Sequence, residues 1–181
     1  MSTAVEAAFQ RHPRTRFLPA GQRRFAAENR ALPIGYGQTN SQPSTVADML
    51  RLLDVEPGQK VLDVGSGSGW SSALLGELVG PEGQVHAVEL IPELVESSRL
   101  ALGDAQPWVD VNQAEPGVLG LPELAPFDRI LVSAAAEALP ESLLAQLAPE
   151  GIMVIPVQHT LLRVAQGKVT EHGGYLFVPL L

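Results

Sequence analysis

A short apolar run that ends in alternating glycines constrains the fold of this 181-residue chain more than any other feature. The run is VLDVGSGSGW, residues 61–70, in which three glycines follow the acid Asp63. A strand that turns through glycines into a helix is typical of α/β proteins, and the free N–H groups of such a turn can hold a nucleotide-like ligand. The alternative is a tight turn that binds nothing.

Strand-like and helix-like segments alternate from Lys60 onward. Apolar runs predict strands at 61–64, 85–88, 109–111, 127–135 and 151–157, and helical spacing predicts helices at 71–79, 92–102 and 139–147. Continuous apolar strands separated by helices indicate a doubly wound, mostly parallel Rossmann-like sheet with helices on both faces. The glycine-separated runs after Thr160 predict antiparallel strands at the sheet edge.

The first third of the chain has a different pattern. It predicts a helix over 2–10, a polar segment over 22–30, a loop over 32–43 and a helix from Pro43 to Leu53. We therefore expect an N-terminal helical segment and loop, 1–58, packed on an α/β core, 59–181, in one structural domain.

Charge and composition narrow the function classes. Residues 1–60 contain eight basic and five acidic side chains, whereas residues 61–181 contain four and fifteen. An acidic body argues against a nucleic-acid partner, although six arginines between positions 11 and 30 leave an RNA patch as an alternative. No apolar run is long enough to span a membrane, and the absence of cysteine fits the cytoplasm. The four histidines show no metal-ligand spacing, so we expect no metal.

The glycine spacing identifies a ligand class. Asp-x-Gly-x-Gly-x-Gly differs from the Gly-x-Gly-x-x-Gly of dinucleotide sites, and no Gly-Lys-Ser/Thr follows for a triphosphate. Glu89 ends the next strand, where a carboxylate can accept hydrogen bonds from both ribose hydroxyls; an exposed strand-end acid is the alternative. Together these residues indicate an S-adenosylmethionine pocket in which Asp63 faces the cationic methionine end, directly or through water. The cofactor-binding candidates are Asp63, Gly65, Ser66, Gly67, Ser68, Gly69, Glu89, Leu90 and Glu115.

Several separated stretches resemble one family, the protein-L-isoaspartate O-methyltransferases. The stretches are VEAAFQRHPRTRFLP, LPIGYGQTNSQP, VLDVGSGSGW, the block APFDRILVSAAAEALPESLLAQLAPEGIMVIPV and FVPL at 177–180. The resemblance implies esterification of the α-carboxylate of L-isoaspartyl residues in damaged proteins, with S-adenosylhomocysteine as the other product. The methyl ester then collapses to a succinimide that partly reopens to aspartate.

The resemblance also implies roles for the loop residues. Ser41 matches the family's active-site serine, and we expect Thr39 and Ser41 to orient the substrate carboxylate; Ser41 as a cap of the following helix is the alternative. Gln38, Asn40 and Ser133 are the substrate-binding candidates, and a monomer is expected. Two positions depart from the family, Asn40 in place of isoleucine and Pro116 in place of an acid near the adenine. They leave open a different methyl acceptor, or a cofactor-binding paralogue without turnover.

Overall fold

The structure, a computed structural model, describes residues 3–180. Its main sheet has seven strands: β3 Lys60–Val64, β4 Gln84–Glu89, β5 Val109–Gln113, β6 Phe127–Val132, β7 Leu147–Val157, β8 Thr160–Ala165 and β9 Lys168–Gly174. They lie side by side in the order β5-β4-β3-β6-β7-β8-β9. The strands β3 to β7 are parallel to one another, β8 is antiparallel to β7, and β9 is antiparallel to β8. The sequence-based prediction of a mostly parallel sheet with antiparallel C-terminal strands is confirmed.

Helices pack on this sheet unevenly, the four longer ones on one face and a single helical turn on the other. They are α1 Thr3–Arg11, α2 Pro43–Leu53, α3 Trp70–Val79, α4 Pro92–Leu102 and the single turn α5 Glu141–Leu144. Side chains of α1 to α4 share one buried cluster with strand residues such as Val61, Val85 and Val154. Alternate strand residues, such as Leu62 and Ile130, pack on the other face against the chain between Ala114 and Leu147. This alternation follows from the two-residue period of a strand.

The sequence predicted a loop from Leu32 to Pro43, but part of this stretch forms strands. It contains a small antiparallel hairpin of β1 Leu32–Gly35 and β2 Gln38–Asn40. Both residues between these strands have positive φ, Tyr36 at 55° and Gly37 at 73°, as in a type I′ turn. Proline and glycine therefore mark the ends and turn of a hairpin here.

The helix predicted over 139–147 was also too long. Only Glu141–Leu144 is helical, and Leu147 already pairs with Phe127 in the sheet. Phe127 donates its backbone N–H to the carbonyl of Gln146 at 2.8 Å. The backbone at Gln146 and Leu147 is therefore hydrogen-bonded or paired with Phe127 in the sheet, so the helix ends before it.

The N-terminal helix α1 packs against α3. Phe9 and Trp70 meet edge to face with ring centroids 5.2 Å apart, and the Trp70 indole donates to the carbonyl of His12. The first residue of the helix predicted over 2–10 lies outside the described residues. Among residues 3–180, no helix combines the length and apolar character needed to cross a bilayer.

Candidate functional site

The carboxyl ends of four parallel strands meet at one edge of the sheet. Val64 pairs with Val88 on one side and with Val132 on the other, and Glu89 pairs with Gln113. The chain segments after these four strands line a single cavity, which is where ligands bind on parallel sheets of this kind. The β1–β2 hairpin closes the cavity from the N-terminal side.

Most of the residues predicted for the site line this cavity. Twelve of the fourteen candidates do so: Gln38, Thr39, Asn40, Ser41, Gly65, Ser66, Gly67, Ser68, Glu89, Leu90, Glu115 and Ser133. The other two, Asp63 and Gly69, do not. The sequence thus located the cavity, but it did not separate residues of its wall from residues that support the wall.

Glu89 has a buried carboxylate in the cavity wall. Its Oε2 accepts the backbone N–H of Gly67 at 2.8 Å, and its Oε1 accepts that of Ile91 at 3.0 Å. The carboxylate therefore joins the glycine loop to the start of α4. Because a carboxylate oxygen can accept two hydrogen bonds, each oxygen keeps capacity for a further donor.

The sequence pattern suggested that the loop glycines make room for a ligand, but two of them also make room for neighbouring side chains of the protein. A Cβ at Gly67 would lie 3.2 Å from the Ile34 side chain, and one at Gly69 would lie 2.9 Å from Cβ of Ser98 on α4. Both residues also have positive φ, 55° and 84°. Gly67 still presents its backbone to the cavity, whereas Gly69 permits close packing of α3 against α4.

Asp63 lies beneath the loop and is fully buried. Its Oδ2 accepts the hydroxyls of Ser71 and Ser72, each at 2.7 Å, and its Oδ1 has no hydrogen-bond partner among residues 3–180. Burial raises the pKa of Asp63 to about 6, although the two serine hydroxyls lower it. Asp63 is not part of the cavity wall, and of this group only Ser71 lines it, so a contact of Asp63 with the methionine end, directly or through water, stays a prediction.

Asp63→Asn tests this burial through the pH dependence of stability. A carboxyl whose pKa is higher in the folded protein stabilises the fold below its unfolded pKa of 3.8, and that contribution is lost as pH rises to about 6. The variant should therefore gain up to about 3 kcal/mol relative to the unmodified protein between about pH 4 and about pH 7. Urea unfolding at several pH values measures the difference. The exposed Asp104→Asn is the control, and a pH-independent difference for Asp63→Asn would contradict the prediction.

The hairpin carries the hydroxyl groups of the site. Thr39 and Ser41 line the cavity, and Asn40 between them is buried and hydrogen-bonded within the protein. The alternative role of Ser41 as a helix cap is not observed, because α2 has Gln42 at its N-cap without a side-chain capping bond. Asn29 Oδ1 instead accepts the Ser44 N–H at 3.0 Å.

A second, more open groove adjoins the cavity. Thr39, Ser41 and Ser133 line both, so these three hydroxyl side chains form a shared wall. The far side of the groove is the C-terminal segment from Gly174 to Val178 together with His159. Within the described part of the chain, neither the groove nor the cavity has a lysine or arginine in its lining.

Sequence reasoning missed several residues of the cavity wall. Ile91, Ala114 and the 118–120 segment follow the strand ends that were predicted, so strand order alone could have indicated them. The C-terminal residues Val178–Leu180 also line it. Ala135 holds them there through backbone bonds to Val178 and Leu180. The FVPL motif marked this segment, but no local pattern indicated where it docks.

The histidines lie apart from the cavity or at its margin. His86 packs against the Phe127 ring, and buried His12 lies 3.2 Å from Glu77. Over residues 3–180, no cluster of three or more His, Asp or Glu side chains is arranged to hold a metal ion.

Strand order, the glycine loop and the strand-end acid together define a Rossmann-like methyltransferase fold. A chain of Plasmodium falciparum assigned as a protein-L-isoaspartate O-methyltransferase, solved with S-adenosyl-L-homocysteine, has this fold with a TM-score of 0.88. The two sequences are 24% identical, and the match covers 99% of this chain and 91% of that chain.

The sequence comparisons show the family. The family model for protein-L-isoaspartate(D-aspartate) O-methyltransferase matches residues 1–179, so the chain belongs to this family. The protein-L-isoaspartate O-methyltransferase of Aeropyrum pernix is 48% identical over an alignment 191 residues long, which covers 99% of this chain and 73% of the relative. That of Methanothrix thermoacetophila is 47% identical over 188 residues, covering 100% of this chain and 89% of the relative.

Proposed function

We propose that this protein transfers a methyl group from S-adenosylmethionine to the α-carboxylate of L-isoaspartyl residues in damaged proteins or peptides. One observation carries the proposal. In a chain of this family, a single cavity brings the glycine loop and the buried Glu89 carboxylate together with the hydroxyl groups of Thr39 and Ser41. The product S-adenosylhomocysteine and a labile methyl ester are expected.

The wall residues fit the cofactor. Glu89 retains one acceptor site on each oxygen for the ribose hydroxyls, because Gly67 and Ile91 occupy only one each. The Ser66 hydroxyl in the same wall is buried and has no hydrogen-bond partner in the part of the chain that the structure describes, so a ligand can satisfy it. Glu115, which follows β5 and lines the cavity, is our candidate acceptor for the adenine amine.

The substrate side supplies orientation and leaves the nucleophile free. When bound, S-adenosylmethionine supplies an activated methyl group on a sulfonium. Thr39 and Ser41 hold the isoaspartyl carboxylate by neutral hydroxyl donors, with Gln38, Asn40 and Ser133 nearby. Because no lysine or arginine lines this wall in residues 3–180, the carboxylate is not held in a buried ion pair. Catalysis then depends on positioning, which alone can lower a barrier by about 7 kcal/mol or more.

The proposal also assigns different roles to the two parts of the chain. Residues 1–58 supply the substrate hairpin and residues 59–181 the cofactor-binding core. The absence of cysteine in the sequence supports action in the cytoplasm, and we assign a monomer. The acidic core argues against a nucleic-acid partner, and Arg14, Arg16 and Arg23 donate to backbone carbonyls of the fold.

A pair of peptides tests the proposed activity. One peptide contains an L-isoaspartyl residue, and its twin contains aspartate at the same position. Incubation with radiolabelled S-adenosylmethionine should place a base-labile methyl group on the isoaspartyl peptide alone. Equal labelling of both peptides, or tight cofactor binding without any labelling, would refute the proposal.

Ser41→Ala tests the role of the hairpin. Loss of one hydroxyl donor to the carboxylate should lower kcat about 10-fold, and the Kd of S-adenosylmethionine should stay within about two-fold. Steady-state kinetics and calorimetry measure the two quantities. Ser44→Ala, an exposed serine outside both cavities, is the matched control. A large loss of cofactor affinity in Ser41→Ala would show that Ser41 contacts the cofactor and not the substrate carboxylate.

A further inference from the structure

Asn40 is hydrogen-bonded to two parts of the protein at once. Its Nδ2 donates to the Ser68 hydroxyl of the glycine loop at 3.0 Å. Its Oδ1 accepts the Nε–H of Arg14 at 2.7 Å, and its backbone carbonyl accepts from Nη2 of the same arginine at 2.9 Å. The oxygen and the nitrogen of the amide are therefore both hydrogen-bonded within the protein, although Asn40 lies in the cavity wall between Thr39 and Ser41.

Arg14 is a buried cation surrounded by carbonyl oxygens. Besides Asn40, its guanidinium donates to the backbone carbonyls of Ser41, Arg30, Glu28 and Ala26, at distances from 2.8 to 3.5 Å. It forms no ion pair with a carboxylate in residues 3–180. Burial lowers the pKa of Arg14 to about 10, so the side chain remains charged at neutral pH. Arg14 thus connects carbonyl groups of the chain between Ala26 and Ser41 through one side chain.

An apolar contact lies beside this polar one. The Ile34 side chain of the hairpin sits 3.2 Å from the position that a Gly67 Cβ would occupy. Hairpin and glycine loop therefore touch at two points, Ile34 on Gly67 and Asn40 on Ser68. A shift of the glycine loop would be transmitted to the residues that flank Asn40.

We propose that Asn40, held by Arg14, is a positioning residue that ties the substrate hairpin to the cofactor loop. Nucleoside binding at the loop then orders the segment that carries the Thr39 and Ser41 hydroxyls. The inference deepens the proposed function and rests on it for the identity of the two ligands. By linkage, a cofactor that orders the hairpin also tightens binding of the methyl acceptor.

Hydrogen exchange tests the tie without any methyl acceptor. S-adenosylhomocysteine at saturation should slow amide exchange in residues 38–41 of the unmodified protein about five-fold, and Asn40→Ala should abolish this effect. Calorimetry should show that the variant still binds S-adenosylhomocysteine within about three-fold of the unmodified protein. Asn112→Ala, which removes an asparagine outside the cavity wall, is the matched control and should keep the protection.

A second measurement connects the tie to the substrate. S-adenosylhomocysteine should tighten binding of the isoaspartyl peptide about five-fold in the unmodified protein and leave it unchanged in Asn40→Ala. If the peptide does not bind but cofactor-dependent protection requires Asn40, the proposed function fails and the tie stands. If protection is absent from the unmodified protein, or persists in Asn40→Ala, the tie is overturned even when the peptide is methylated.

Ser68→Ala provides the same test from the other side if Asn40→Ala fails to fold. The two variants remove the same hydrogen bond, so each should abolish the protection of residues 38–41, and the double variant should add nothing further. Independent, additive effects of the two substitutions would overturn the inference.

Discussion

Replacing Glu89 by alanine should weaken the binding of S-adenosylmethionine about 100-fold, the largest functional loss that we expect from one side chain. The substitution would remove the two proposed hydrogen bonds from ribose hydroxyls to the buried carboxylate, each worth about 1.5 kcal/mol or more. The N–H groups of Gly67 and Ile91 lose their acceptor in the same change, so the loop itself is less well held. Isothermal titration calorimetry gives the Kd directly.

Two other variants show whether the loss of cofactor affinity is specific to Glu89. Glu93→Ala removes an exposed acid one turn away and should leave the affinity unchanged. Ser41→Ala should lower kcat while affinity persists, the reverse of the Glu89 pattern. A Glu89→Ala protein that binds S-adenosylmethionine within about three-fold of normal would show that the ribose lies elsewhere.

Arg14→Met should cost about 3 kcal/mol of folding free energy, the largest structural effect. The substitution keeps an unbranched apolar stem but leaves several carbonyls, including those of Asn40 and Ser41, without their shared donor. For a chain of this size the loss corresponds to a drop in Tm of about 9 °C. Urea unfolding and thermal scans measure both quantities.

Arg24→Met is the control for Arg14. Arg24 is exposed in the same N-terminal segment and lies over the Phe25 ring. Its replacement should change stability by less than about 0.5 kcal/mol. If Arg14→Met is equally mild, water satisfies the carbonyls and the arginine does not hold the hairpin.

Sequence periodicity was sufficient for the sheet, because its strands are short apolar runs bounded by turns. It also placed Glu89, since the last residue of a parallel strand must emerge at the ligand-binding edge. It failed where the chain is organised by distant partners. Leu32–Gly35 becomes a strand only by pairing with Gln38–Asn40, and Leu147 leaves a predicted helix to pair with Phe127.

Side-chain environments were harder to predict than backbone positions. The sequence placed Asp63 at the end of a strand, but its enclosure by Ser71 and Ser72 depends on how α3 begins. The sequence showed Asn40 only as a polar residue in place of the family's isoleucine, and the structure shows its amide bonded to Arg14 and Ser68. No local pattern predicts such a contact, because Arg14 lies 26 positions away and Ser68 lies 28.

Thr39, Ser41 and Ser133 line both the cavity and the C-terminal groove. A polypeptide lying in the groove would therefore present its carboxylate to the same uncharged hydroxyl groups that face a nucleoside in the cavity. The two ligands of such a reaction could then meet across these three side chains without either one passing through the space that the other occupies.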